Sequence, residues 1–246
     1  MSLTPVQILD LEAISARAWP AERSAALGGW RLNASAGWSG RINACWPLGD
    51  PGRPLRQAIG EVEAWYRAAA LAPLFKIVDA PGLAPGLIEA LATRGYRPRT
   101  ETLMMVGPAG DPADPAVRIA DEIDPSFQTL FAAAADSEAD ATERLGALSR
   151  VPRPRAFARL DEDGEPAAVG ASAVEGDWAG LFAMRTGVAF RRRGLARRVL
   201  GSLMAWAAGA GASRIWLQVE ADNAGAVALY RGAGFETLYA YRYWRR

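Results

Sequence analysis

Residues 189–200 read AFRRRGLARRVL, five arginines around one glycine where a β-rich stretch gives way to a helical one. Such a segment serves as a solvated basic patch, a nucleic-acid handle or a loop that holds phosphate. Downstream, Leu195, Val199, Leu203, Trp206 and Ala210 keep helical spacing, and Gly209 and Gly211 close the run. The arginines therefore sit on a strand-to-helix turn. The first turn of a helix leaves backbone N–H groups unpaired and carries partial positive charge. A glycine there lets a phosphate approach the backbone, and flanking arginines add charge-assisted hydrogen bonds. Arg191-x-x-Gly194-x-Ala196 thus has the parts of a pyrophosphate cradle, and a plain solvated helix start is the alternative. The nucleic-acid reading is set aside, because a net charge of +1 over 246 residues carries no recognition motif beside the basic run.

Two absences narrow the chemistry. The sequence has no histidine, which removes Ser-His-Asp and Cys-His sites and HExxH zinc sites. Its single cysteine, Cys45, allows no internal disulfide and no cysteine zinc cluster. An all-carboxylate metal site is the alternative left open, and no metal is expected. The start, MSLTPVQILDLEAI, lacks the basic and apolar regions of a signal peptide, and no long uncharged apolar run occurs. The expectation is a cytoplasmic protein with no membrane partner. An enzyme of this composition works with carboxylates, tyrosine, backbone amides or water.

The chain repeats itself. WSGRINACWPL from Trp38 resembles WAGLFAMRTGV from Trp178, which sets Gly40 and Gly180 140 residues apart. EVEAWYRAAA resembles SLMAWAAGAG, with Trp65 and Trp206 separated by 141, and LIEALATRGYRPRTETLMM resembles AVALYRGAGFETLYAYRYW, with Gly95 and Gly234 separated by 139. These nearly equal offsets predict two copies of one α/β unit. The expected domains are 1–107 and 117–246, with a Pro/Gly-rich linker over 108–116. The second copy reads β-α-α-β-β-β-α-β-α-β, with hairpin turns at Asp161–Gly164 and Glu175–Asp177. The expected fold class is α/β (α+β), two units each with a mixed, mostly antiparallel sheet flanked by helices.

From Val117 to Arg246 the motifs taken together, Arg-x-x-Gly-x-Ala after a strand, then LQVEADN, then ALYRGAGF, resemble the GNAT superfamily of acyl-CoA-dependent N-acetyltransferases. The strand order agrees with that fold. The resemblance implies acetyl-CoA as co-substrate and an amine acceptor. It implies that the loop from Arg191 through Arg193, Gly194, Leu195, Ala196 and Arg197 binds the pyrophosphate. The strand before it, with Met184, Thr186 and Val188, pairs with the pantetheine arm. Asn223 matches a cofactor-contacting position, with helix capping as its alternative, and Tyr230 the general acid, with core packing as its alternative. Glu220, beside the slot by sequence, is the candidate base, or else a solvent-facing strand residue. The family's V-x-P-x-x spacer is shortened here, since Ala189, Phe190 and Arg191 follow Val188 directly.

In the first copy the functional positions fail together. Counting back from Gly194 reaches Pro54 or Arg53, and from Asn223 and Tyr230 Ala84 and Leu91. This predicts a degenerate GNAT-like half with a scaffold role, in which WPLGDPGRPL keeps Arg53 and Arg56 as anion-binding candidates while its prolines oppose a tight amide nest. Trp30 or Trp46 is a candidate for lining a substrate pocket, and core packing is the alternative. The acidic residues Asp136, Glu138, Asp140 and Glu143 read as an exposed helix face or an attractor for a cationic amine. The expected function is transfer of acetyl from acetyl-CoA to a primary amine. The rival is a non-catalytic acyl-CoA-binding sensor or scaffold. A monomer acting as an internal pseudo-dimer is expected, a homodimer being the alternative.

Overall fold

The computed structural model of the chain describes residues 4–80 and 82–246. In chain order the elements are α1 (Pro5–Ala18), β1 (Arg23–Leu27), β2 (Trp30–Ala34), β3 (Cys45–Pro47), α2 (Leu55–Ala68), β4 (Phe75–Val78), α3 (Leu87–Thr93) and β5 (Arg97–Pro108). They continue with β6 (Val117–Ala120), α4 (Pro125–Ala132), α5 (Glu138–Ser149), β7 (Arg155–Glu162), β8 (Glu165–Glu175) and β9 (Trp178–Thr186). The chain closes with α6 (Leu195–Gly209), β10 (Arg214–Glu220), α7 (Ala224–Gly232) and β11 (Glu236–Arg245). From β6 onward the order is the one the sequence predicts. Among the described residues no helix is long and apolar enough to cross a membrane.

The chain forms two compact units. The first is built from residues up to Leu103 together with Glu220–Asp222 and Leu238–Arg246, and the second from Met104–Val219 and Asn223–Thr237. In the first, β1, β2 and β3 form an antiparallel meander, β4 runs parallel to β3, and β11 lies antiparallel beside β4 with Tyr241 opposite Val78. In the second, β6 to β9 form the meander, β10 runs parallel to β9, and β5 is the strand on the other side of β10. Each unit is a mixed, mostly antiparallel sheet with one helix-linked parallel step, β3-α2-β4 or β9-α6-β10. The first unit takes most of β11, Leu238–Arg245, from the end of the sequence, and β5 is divided, Arg97–Leu103 belonging to the first unit and Met104–Pro108 to the second. The breaker-rich stretch after β5 lies inside the second unit, where the Ala109 N–H donates to Ser213 O, the Gly110 N–H to Met204 O and the Asp114 N–H to Ser202 Oγ.

The helix ends show the same repeat in backbone hydrogen bonds. After α7, the Phe235 N–H donates to Tyr230 O at 3.0 Å and the Gly234 N–H to Arg231 O at 3.0 Å, with Gly234 at φ +87°. After α3, Tyr96 donates to Leu91 O and Gly95 to Ala92 O, with Gly95 at φ +85°. These are paired Schellman closures, which need a left-handed residue. The ends of α6 and α2 repeat them at Gly211 and Ala70, so an alanine at φ +57° stands where the second unit has glycine.

The buried face of α6 carries Leu195, Val199, Leu200, Leu203, Met204 and Ala207, while Trp206 is only half-buried. Trp216 on β10 is fully buried and lies over Gly180 of β9, where an added Cβ would sit 2.4 Å from its ring. Gly40 stands in a single turn, not a strand, but it too makes room for a ring, that of Tyr243. A Gly180→Ala change overpacks a rigid site, and a loss of about 1–3 kcal/mol is expected in denaturant unfolding. An unchanged midpoint would show that the Trp216 ring shifts freely.

In the first unit, Ile59, Val62 and Tyr66 of α2 and Leu91 of α3 pack on Phe75, Ile77 and Tyr96. Behind them the chain's only lysine, Lys76, is fully buried. Its ammonium pairs with Glu12 at 2.5 Å, lies 3.7 Å from the Trp46 ring centre and 4.1 Å from that of Tyr241. The Tyr239 hydroxyl donates to the other Glu12 oxygen at 2.8 Å. Trp46 is thus core. The Trp30 indole N–H donates to Gly49 O, and its ring edges a cavity of the first unit at the start of α2.

Candidate active site

The site is built where β9 and β10 part. Their parallel pairing runs from Trp178 opposite Arg214 to Leu181 opposite Leu217 and stops there, although β9 continues to Thr186. On its other edge β9 slips against β8, because Phe182 faces Ala171 and Arg185 faces Val169, so two β9 residues stand opposite Gly170. This bulge puts Ala183 at φ +57°, a conformation non-glycine residues adopt rarely. Gly170 leaves room for the Met184 sulfur, which a Cβ there would meet at 2.4 Å. The edge of β9 beyond Leu181 is therefore free of β10, and an open strand edge offers N–H and C=O groups to an extended ligand.

Beyond β9 the Gly187 N–H donates to Ala167 O, and a single turn over Val188–Phe190 leads into the arginines. Despite the short spacer the loop closes, with Arg192 at φ +65° and Gly194 at φ +78° as the residue preceding α6. An added Cβ on Gly194 would meet nothing within 4 Å, so the space in front of the helix start is open. The Arg197 and Arg198 N–H groups donate back to Gly194 O. Among the described residues, the N–H groups of Arg192 to Ala196 have no hydrogen-bond acceptor. A row of unspent donors at the positive end of a fifteen-residue helix suits an anion.

Arg192, Gly194, Leu195 and Ala196 border one cavity of about 550 Å³ in the second unit. Met184, Thr186, Val188, Arg191, Gly194, Leu195, Ala196, Arg197, Asn223 and Tyr230 all line it, so the structure brings together ten of the residues singled out in sequence. No carboxylate is among its lining residues. Arg192, inside the loop expected to hold the pyrophosphate, lines it as well.

A family model described as the C-terminal region of the probable histone acetyltransferase Rv0428c matches residues 5–244. The chain belongs to this family of GNAT-type acetyltransferases. The uncharacterized N-acetyltransferase YobR of Bacillus subtilis is 26% identical over 96% of the acetyltransferase and 97% of its own length. The probable histone acetyltransferase Rv0428c of Mycobacterium tuberculosis is 28% identical over 96% of this chain and 73% of its own. The [ribosomal protein bS18]-alanine N-acetyltransferase of Escherichia coli is 36% identical over 77 residues, 31% of this chain and 52% of that one. Among solved structures, a GCN5-related N-acetyltransferase from Kribbella flavida superposes with a TM-score of 0.71 at 20% identity, covering 100% of this chain and 96% of that one. A tandem GNAT protein from the clavulanic acid biosynthesis pathway does so at 0.64 and 15% identity, over 99% and 94%. These two likenesses establish the fold.

Several residues of the acetyltransferase differ from their expected settings. Arg193 does not line the cavity, and its guanidinium sits over the Phe190 ring at 5.5 Å. Arg197 lines it, but its guanidinium pairs with Asp111, and Arg198 pairs with Asp114 at 2.6 Å. The Arg198 hydrogen bond holds the Asp114 carboxyl below the usual carboxylate range. Arg191 and Arg192 remain exposed and unpaired among the described residues. Glu220 does not line this cavity. It is exposed and borders a separate cavity of the first unit with Arg99, Thr100 and Tyr243.

Asn223 caps α7, its Oδ1 accepting the Ala226 N–H at 3.1 Å, which leaves its amide NH₂ for a ligand. The Schellman closure fixes Tyr230, whose ring packs 5.9 Å from that of Phe235 and is 7% exposed. The acidic residues of α5 are not all surface. Asp140 and Glu143 are buried. Burial opposes ionisation of Asp140, but Arg144 at 2.6 Å and the Asp136 N–H outweigh it and hold its carboxyl low. Among the described residues no group of histidine, cysteine or acidic side chains has metal-site geometry.

Proposed function

We propose that the second unit transfers the acetyl group of acetyl-CoA to a primary amine by direct attack. The observation that carries this reading is one cavity, with no acidic side chain in its lining, on which the unspent N–H groups of Arg192, Gly194, Leu195 and Ala196, the free edge of β9 and Tyr230 converge. The donor set fits a pyrophosphate, with Arg191 and Arg192 as the unpaired cations beside it and Arg193 at the edge. Backbone groups of Met184, Thr186 and Val188 take the amides of the pantetheine arm, and the Asn223 NH₂ adds a contact. Acetyl-CoA supplies an activated acyl group on a sulfur leaving group. An N–H of the bulged β9 segment stabilises the charge that develops on the carbonyl oxygen. As the new C–N bond forms and the C–S bond breaks, the Tyr230 hydroxyl gives its proton to the departing sulfur.

The sole cysteine, Cys45, is buried in the other unit, which supports direct attack over an acyl-cysteine route. With Glu220 outside the cavity, water takes the proton from the incoming ammonium. The first half serves as scaffold. Pro54 stands at the start of α2 where Gly194 precedes α6, and Leu91 stands in the place of Tyr230. Arg53 is occupied by Glu61 at 2.5 Å.

The test is incubation with acetyl-CoA and a panel of primary amines, following thiol release and product mass together. Equal release of thiol and formation of acetylated amine is the expected result. Accumulation of acetylated protein, or tight acetyl-CoA binding with no turnover on any amine, would contradict direct transfer.

A further inference from the structure

The arginines of the first unit fall into two groups. Arg53, Arg94 and Arg242 are held by Glu61, Glu63 and the pair Asp79 and Glu101. Arg67 at the end of α2, Arg99 in β5 and Arg245 in β11 have no ion pair or hydrogen bond among the described residues. These three line one cavity of about 510 Å³, together with Arg246 and Tyr96. Arg246 is braced there, paired with Glu63 and stacked 4.9 Å over the Tyr96 ring. No acidic side chain lines this cavity. Arg67, Arg99 and Arg245, drawn from three distant stretches of sequence, thus set three uncompensated positive charges around one cavity, a field that attracts an anion.

The backbone around the cavity is strained as well. Thr100, next to Arg99, has φ +32°. A β-branched residue at positive φ is a genuine outlier, and such outliers gather at ligand sites. Thr100 borders an adjoining cavity of about 570 Å³ that shares Arg99 and Arg245 with the first. On its wall stands Trp38, whose side chain is 48% exposed although large apolar groups are normally covered. Asn43 shapes the loop that presents it, its Oδ1 accepting the Ser35 and Gly37 N–H groups at 2.7 and 3.0 Å. Glu220 supplies the only carboxylate of the adjoining cavity.

We propose that these joined cavities bind a small phosphate ester carrying a flat ring, at a site separate from the Arg191–Ala196 loop. Arg67, Arg99 and Arg245 grip the phosphate, since guanidinium forks match its oxygens. Trp38 stacks on the ring, and Glu220 accepts a hydrogen bond from a donor on it. The inference stands on the first unit alone and does not depend on what the loop binds.

The experiment uses the full chain with Gly194→Glu, which closes the loop to anions. Inorganic pyrophosphate, then phenyl phosphate and inorganic phosphate, are titrated calorimetrically into that protein. One saturable pyrophosphate site is expected, weakened about tenfold or more by adding Arg99→Ala and Arg245→Ala. Phenyl phosphate binds more tightly than inorganic phosphate, and Trp38→Ala abolishes the difference. Both arginines are exposed, so thermal unfolding of the variants stays unchanged and separates lost binding from lost folding. Absence of saturable pyrophosphate binding in the Gly194→Glu protein, or binding indifferent to the arginine changes, overturns the proposal.

Discussion

Replacing Tyr230 with phenylalanine is expected to lower kcat by about 10²- to 10⁴-fold, the range for loss of a positioned general acid. Affinity for acetyl-CoA should hold, because the ring's packing against Phe235 and the Schellman closure that fixes it need no hydroxyl. The split between kcat and binding is the informative part. A core role alone would change unfolding and leave turnover intact. Steady-state kinetics beside direct binding distinguishes the two, and unchanged kcat would remove Tyr230 from the chemistry.

The largest stability effect is expected at Lys76→Ala. The substitution leaves the Glu12 carboxylate fully buried with only the Tyr239 hydroxyl for a partner and empties the space between Trp46 and Tyr241. Breaking a buried pair by removing one partner costs about 3–5 kcal/mol. The double change Glu12→Leu with Lys76→Met removes both charges and keeps the volume, and it should recover most of that loss. Urea unfolding of the two proteins gives the comparison. Equal destabilisation in both would assign the effect to packing, not to charge.

The second unit was legible because its signals are local. The stripe from Leu195 to Ala207, the glycine at 234 and the hairpin glycines at 164 and 176 each act over a few residues. Partner choice between strands is not local. The alternation in β5 and β11 tells which face is buried, not which neighbour is bonded, so nothing in the pattern reveals that most of β11 joins the first unit or that β5 is divided between the two. The same reason hides the Glu12–Lys76–Tyr239 cluster and the convergence of Arg67, Arg99 and Arg245, which come from widely separated stretches.

At the site, the loop, Asn223 and Tyr230 were legible because the fold holds them in short motifs. Glu220 was not, since proximity in sequence to the slot leaves open which wall its side chain lines. The pairing of Arg197 with Asp111 was hidden too, because a proline-rich stretch reads as a linker until its backbone is seen bonded to Ser213, Met204 and Ser202. Asp140 and Glu143 looked like a solvated face because helical acidic residues usually are one. The Asp136 N–H and Arg144 that stabilise Asp140 show no periodicity.

The central claim is that the start of α6 holds the pyrophosphate of acetyl-CoA, and calorimetric titration of acetyl-CoA into the wild-type chain and into Gly194→Glu tests it most directly. Glutamate at φ +78° is strained, fills the open space before the helix and sets a negative charge among the unspent N–H groups. One site in the wild type and none in the variant, with both proteins folded, is the predicted result. Equal acetyl-CoA binding in both would contradict the account and move the donor to another cavity.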